Sequence, residues 1–484
     1  MFTHTPDIVP FKSPIKAELL SEVELEIIKG KTLHVLNEVG VHFPSIKALD
    51  IFESFGALVD FNSQIVRISP DLVEKAMSAA PRSFILGGRE KRLDLKLDGK
   101  QSYISTDGTG IHVIDLETRQ KRPSSKSDIA MMARVCDALP MVSFYWPMVS
   151  SKEYGLTEPI HNCHASLTST LKHVRGGTTV HPELANYIVE MATVVAGSID
   201  ERIQRPPICA NICTISPLSH DKHGIEAALI YAEAGIPLSF MAMPTMGSTA
   251  PASTMGSLIM GDAEVISAMV LMQLAFPGTP VFHAVFTSLM DPRTGGYISD
   301  VPTPSYVVAK QLAHAWKVPC LGGARVSGDA PVLGWQSGYE VGLGAGMIAM
   351  AGGDICGLMG LVGSATTLYP EDVILDHEGI AHVHEIVNRK PVDDIDQVLE
   401  LIQSVGPRNH YLNQKHTRNH IRDFHLPSIF RQYGSDGVQI DPREIALEKF
   451  KEIEATHHPH PLPDIALKEM DRILESADKD SKTI

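Results

Sequence analysis

The 484 residues, 44% hydrophobic and 20% charged, are enough for a large core and more than one structural unit in an ordinary globular chain. With 42 Lys+Arg against 57 Asp+Glu the formal charge is −15 and the basic residues are scattered, which disfavours nucleic acid or another polyphosphate as partner. The opening "MFTHTPDIVPFKSPIK" lacks a signal-peptide core, no uninterrupted apolar run approaches the roughly 20 residues of a membrane span, and six cysteines fall singly without a CxxC pair, so a cytoplasmic chain with buried reduced thiols is expected.

In chain order, residues 1–100 read as a mainly helical unit with a small sheet. Leu25, Ile28, Thr32, Leu36 and Val39 recur at helical spacing, "SQIVRISP" alternates, and "SPDLVEKAMSAA" opens with a helix-start signal. From Ser102 the pattern changes to short apolar stretches between amphipathic helices: "SYIST", "VSFYWPMV", "HVRGGTTV", "PICANICTI", "PLSFMAM", "PVFHAVFT", "PCLGGARV" and "GDICGLMGLV". Ser125 and Asp128 form a capping-box pair before one helix, Gly235 ends another, and Pro237, Pro280 and Pro319 sit at strand starts. Eight such units over residues 101–387 predict a TIM (β/α)8 barrel, α/β in class. Residues 388–484 read as a charged, histidine-rich C-terminal helical extension.

A barrel of this kind works at the C-terminal ends of its strands. Those ends carry Asp107, Thr109, Tyr145, Trp146, Arg175, Asn211, Thr214, Met243, His283, Phe286, Asp291, Arg325 and Asp329. Aromatic and methionine side chains crowd the set, two arginines belong to it, and neighbouring glycines leave room for a bulky guest. The glycine-rich stretches match neither a P-loop nor GxGxxG, so tight loop turns explain them as well as phosphate does. "HNCHAS" places His161 and His164 on one helix face, and "DHEGIAHVHE" groups His377, His382 and His384; structural histidines are expected at both, and no metal. A quaternary ammonium has no N–H and is held on aromatic faces, which Tyr145, Trp146, Phe286 and Trp335 could supply; core packing is the open alternative for all four.

The stretches "LNEVGVHF", "FGALVDF", "VRISPDLVEKAMSAAPRSFILGGREKRLDL", "MGDAEVISAMVLMQLAFPGTPVF", "DPRTGG" and "GWQSGYE", in this order, resemble the trimethylamine methyltransferase family. The resemblance implies methyl transfer from a methylated amine to the cobalt(I) corrinoid of a separate carrier protein, with no cofactor or metal held by this chain. The loop "VSGDAPVLGWQ" contains only ordinary amino acids, so the chain resembles the branch lacking pyrrolysine, which takes quaternary amines such as glycine betaine, proline betaine and carnitine. A quaternary nitrogen is already activated, so no general acid or nucleophile is expected and catalysis is alignment.

On that reading, Arg325 or Arg293, with His283 behind them, would hold the carboxylate of a betaine and Trp335 would face the ammonium. Asn211 joins the substrate-binding set, and Asp329 would orient the loop or cap the following helix. Asp262 and Glu264, where the family often reads "NAE", and Arg325 are expected to help choose the substrate. A non-catalytic amine-binding protein or sensor and a zinc-dependent corrinoid methyltransferase are the alternatives, and self-association is left open.

Overall fold

The computed structural model describes residues 4–176, 181–299, 305–325, 328–388, 395–421 and 427–484, with the backbone alone at 323–325. The fold is mixed α/β. Its centre is eight short strands: β1 Tyr103–Thr106, β2 Phe144–Tyr145, β3 His173–Arg175, β4 Ile208–Ile215, β5 Leu238–Ala242, β6 Val281–Val285, β7 Leu321–Arg325 and β8 Ile355–Met359. Each lies within the stretch its apolar pattern marks. All pair in parallel and in chain order from β1 to β6, while β7 pairs with β8 and β8 with β1. A single parallel bridge, His283 to Cys320, links β6 to the residue before β7, with the His283 amide donating to the Pro319 carbonyl at 2.9 Å.

The strands alternate with helices α1 Lys126–Asp137, α2 Glu158–Ser169, α3 Pro182–Ala196, α4 Lys222–Glu233, α5 Thr254–Ala275, α6 Ser305–Ala315, α7 Trp335–Ala351 and α8 Asp372–Val387. Local chemistry sets their ends. The Ser125–Asp128 capping box opens α1, and Gly235, at φ +72°, follows the end of α4. Helix α5 is long and apolar enough to cross a membrane by length and composition alone; 89% of its most apolar window is buried, packed between β5 and β6 on one side and the front helices Glu22–His34 and Pro70–Met77 on the other.

The front residues share one core with this scaffold: Phe43 and Phe52 are buried in the same cluster as Ile212 and Met269. A hairpin, Phe84–Leu86 with Leu95–Leu97, lies under the end where the strands begin. Leu86, Leu95 and Leu97 are buried with Tyr103, Phe144, Phe282 and Ile355, Phe84 packs on Phe282 at 5.0 Å, and the Gly87 carbonyl meets His173 Nδ1 at 3.1 Å. That end is therefore a filled floor.

At the same end, just before β3, the fully buried Lys172 donates to the Cys136 and Leu139 carbonyls at 2.8 and 2.7 Å. Beside it the Asp137 carboxylate takes the Thr170 hydroxyl at 2.6 Å, the Leu171 amide at 2.7 Å, His457 at 2.8 Å and the Thr5 hydroxyl. Thr5 from the front of the chain and His457 from the C-terminal section are thus tied to this floor by one carboxylate.

The C-terminal section forms α9 Ile395–Val405, α10 Lys415–His420, α11 Pro442–Thr456 and α12 Asp464–Asp480. His161 and His164 serve to dock it: their Nε2 atoms lie 3.0 and 3.1 Å from Asp478 and Asp471 on α12. His377 accepts the Met141 amide at 3.4 Å, and His384 meets the Phe11 ring edge-on at 5.2 Å. All six cysteines are free thiols, five of them buried and Cys213 half-buried.

Candidate functional site

Side chains alternate across a strand, so parity decides which of the expected residues reach the interior of the strand ring. On β2, Phe144 and the following Trp146 join an interior cluster with Cys209, Met241, Phe282, Ala284, Phe286 and Leu321. Tyr145, between them, turns outward, and its hydroxyl donates to the Ile129 carbonyl of α1 at 3.0 Å. On β6, His283 lies between the interior Phe282 and Ala284 and turns outward too. Its Nε2 is 2.7 Å from Asp262 on α5, whose carboxylate also accepts Trp316 Nε1 at 3.0 Å and the Thr32 hydroxyl at 2.6 Å. Tyr145 and His283 are therefore scaffold, which corrects their expected place in the substrate-binding set.

Asp262 and Glu264 are corrected with them. Glu264 accepts the Thr214 and Ser216 hydroxyls at 2.5 and 2.9 Å and the Leu218 amide at 2.8 Å, so the two acids of α5 brace a strand and a loop.

At the open end of the ring the interior becomes polar. Arg175, the last residue of β3, is wholly buried. Its guanidinium lies over the Trp146 indole, 3.7 Å from the ring centroid, and Nη2 donates to the Asn211 side-chain carbonyl. Asn211 in turn points its amide at Cys213 Sγ, 3.7 Å away. Among the described residues Arg175 Nε and Nη1 and Trp146 Nε1, all buried, have no hydrogen-bond partner. Burial pushes the guanidinium down to about 10, against smaller opposing pulls from Cys209, Cys213 and Asp107. A cation removed from water with two bare nitrogens loses several kcal/mol of solvation, so this one is short of partners for its charge.

Two glycines make the arrangement possible. A Cβ on Gly108, after β1, would fall 2.3 Å from the Trp146 indole, so only glycine lets that ring lie across the strand end. Gly322 on β7 has φ +142°, and a Cβ there would press on the Phe286 ring at 3.2 Å. Trp146, Asn211 and Phe286 are thus brought together, at 6%, 1% and 8% exposure.

The remaining expected residues lie elsewhere. Arg293 is 82% exposed and already paired with Asp291 at 2.9 Å, which corrects it as a carboxylate anchor. Trp335, at 85% exposure, starts α7 and stacks on Tyr339 with 5.6 Å between centroids; it faces outward rather than over a buried ammonium. Asp329 accepts the Ser299 amide and hydroxyl at 2.8 and 2.5 Å and the Ser364 hydroxyl, tying together the loops after β6 and β8. Gly334 caps α7, so the helix-capping alternative for Asp329 is corrected. The Arg325 side chain lies outside the described residues. Arg175 stands at an expected strand end but outside the expected binding set; its parity with His173 is the sequence signal that puts it inside.

A family model described as trimethylamine methyltransferase (MTTB) matches residues 6–474. The chain belongs to the trimethylamine methyltransferase family. As a member it is an enzyme of the methyltransferase class. The chain is similar to trimethylamine methyltransferase MttB of Desulfitobacterium hafniense, 30% identical over 406 residues that cover 83% of this methyltransferase and 81% of that one. It is similar also to the glycine betaine methyltransferase of Desulfitobacterium hafniense, 25% identical over 469 residues, 94% and 96% of the two chains. The crystal structure of the Methanosarcina barkeri monomethylamine methyltransferase superposes with a TM-score of 0.43 at 12% identity over 90% of this chain and 93% of that one.

Proposed function

We propose that this methyltransferase takes a methyl group from a small zwitterionic quaternary amine, glycine betaine first, and passes it to a corrinoid held by a separate carrier protein. Relatives named for trimethylamine and for glycine betaine are similarly distant, so identity does not choose between the substrates. Arg175 does. A buried guanidinium short of partners repels a lone organic cation, whereas the carboxylate of a betaine gives one of its bare nitrogens an acceptor and lessens the solvation loss. Proline betaine and carnitine carry the same two ends and stand next in line.

The chain's own residues bind and aim. Trp146 and Asn211 hold the Arg175 plane, and Arg175 takes the carboxylate at the inner end of the substrate. The indole face that the sequence offers to an ammonium is occupied by the guanidinium, so the methylated nitrogen lies toward the rim, near Phe286 and Met241. Binding energy is then spent on the unreactive end, which keeps the cation free to lose its charge as the methyl group leaves. The corrinoid, as cobalt(I), would supply the nucleophile. Asp107-Gly108-Thr109 and Gly176 give the rim short side chains, which suits the approach of a broad, flat group. We infer that the eight strands close as a (β/α)8 barrel with the His283–Cys320 bridge as its seam, which makes this rim the catalytic face.

The test is direct. Incubating the protein with reduced cobalamin and glycine betaine should yield dimethylglycine and methylated cobalamin in equal amounts, and a pure binder or sensor would yield neither. Loss of turnover on removing bound zinc would favour a zinc-dependent enzyme instead.

A further inference from the structure

The thiols of the chain fall into two kinds. Cys136, Cys163, Cys209, Cys320 and Cys356 are buried, and burial pushes each thiol up, the first three to about 12, which keeps them protonated and inert. Cys213, toward the open end of β4, is half-buried. It has the interior parity of Cys209 and Asn211, packs against the interior cluster, and pairs across the ladder with Met241 of β5. Its sulfur therefore stands beside the path by which a guest enters the ring.

Its neighbours on the inner side give that sulfur a use. The Asn211 side chain bridges two groups: its amide Nδ2 points at Cys213 Sγ, 3.7 Å away, and its carbonyl takes Arg175 Nη2. Cys213 is thus one side-chain amide away from a wholly buried guanidinium whose Nε and Nη1 have no hydrogen-bond partner among the described residues. A thiol sulfur is a weak acceptor for such donors. An oxygen bonded to that sulfur is a good one: it is small, carries negative charge, and extends one bond further into the site.

We propose that Cys213 is a site of reversible oxidation that closes the mouth to substrate, its sulfur-bound oxygen taking the place at Arg175 that the carboxylate of a betaine would hold; this rests on the betaine reading of the site. The oxidant is a peroxide. The sulfur, its proton released to solvent through the rim, attacks one peroxide oxygen; the S–O bond forms as the O–O bond breaks, and the departing hydroxide takes a proton to become water. Sulfur gives up two electrons and the peroxide accepts them, so thiol and hydrogen peroxide become sulfenic acid and water. A thiol reductant reverses this through a mixed disulfide, whereas a second equivalent of peroxide gives the sulfinate, an anion with two oxygens like a carboxylate, which does not return.

Treating the protein with hydrogen peroxide in the presence of dimedone should place the adduct on Cys213 in peptide mass spectra and leave the five buried thiols unlabelled. Treated without dimedone and then freed of peroxide, it should lose roughly tenfold or more of its glycine betaine turnover and recover with dithiothreitol. Cys213→Ala, whatever its starting rate, should keep that rate through the same treatment. A third arm needs no turnover: acetate, compared with chloride at equal ionic strength, should slow the labelling about threefold or more by occupying Arg175, and Arg175→Met should lose this protection. A protein that never demethylates glycine betaine sinks the proposed reaction, while the labelling and its response to acetate still decide the role of the thiol. The inference is overturned if Cys213 takes up no label, if protein oxidised there turns over at full rate, if Cys213→Ala is inactivated like the wild type, or if acetate leaves the labelling rate unchanged.

Discussion

Two buried cations lie three residues apart at the two ends of one short strand. Lys172 at the floor has two carbonyls on its ammonium and Asp137 beside it; Arg175, about 10 Å further along, has one amide oxygen and two bare nitrogens. Both are driven toward neutrality by burial, Lys172 to about 8 and Arg175 to about 10. What separates them is completeness. A buried charge whose partners are all present belongs to the framework, and one short of partners is where the proposed reading seats a guest.

The contrast breaks most visibly at Arg175. Arg175→Met should lower kcat/KM for glycine betaine by about 30-fold or more, since removing one partner of a buried charge pair costs roughly 2–5 kcal/mol. Choline, which lacks the carboxylate, should be handled as before, and the unfolding temperature should not fall. Equal losses on both amines would place the residue in the framework with Lys172. At the floor the expectation is reversed: Asp137→Ala should cost about 3–5 kcal/mol in a urea titration and leave the KM of the folded fraction unchanged. A KM that shifted with stability would erase the division between floor and mouth.

The smallest effect sharpens the rule with an intermediate case. Asp376 on α8 accepts the Gly360 amide at 2.7 Å with one oxygen, the other has no hydrogen-bond partner among the described residues, and burial lifts it from an ordinary 3.8 to about 7. The unfolded chain releases this proton near pH 4 and the folded chain near pH 7. Its contribution to stability is therefore full below pH 4 and drains away as the pH rises to 7. Asp376→Asn should flatten part of the curve of unfolding temperature against pH, with the remainder owed to the buried Asp372 beside it, and an unchanged slope would assign the whole effect to Asp372.

The strands were legible because their signals are local: apolar runs of a few residues, proline at the joints, capping pairs before helices. Parity was legible as well, since Phe144 and Trp146 alternate with Tyr145, and Phe282 and Ala284 with His283. It is the rule that moves Tyr145 and His283 out of the site and Arg175 into it. The pairing of loops was not legible. Arg293 finds Asp291 two residues away, and Asp329 finds Ser299 and Ser364, 30 and 35 residues away, through contacts that depend on how each loop folds over the rim. An aromatic residue near a strand end, such as Trp335, can equally begin a surface helix, and composition does not tell the two apart.

The leucine-filled floor leaves the opposite rim as the way in for a guest. If the proposed reaction runs there, amine, acceptor and product would share that way, and turnover would become a queue: the amine seated first, the carrier closing the exit behind it, and the lightened molecule departing only once the carrier has stepped back. An excess of carrier should then slow this enzyme rather than speed it.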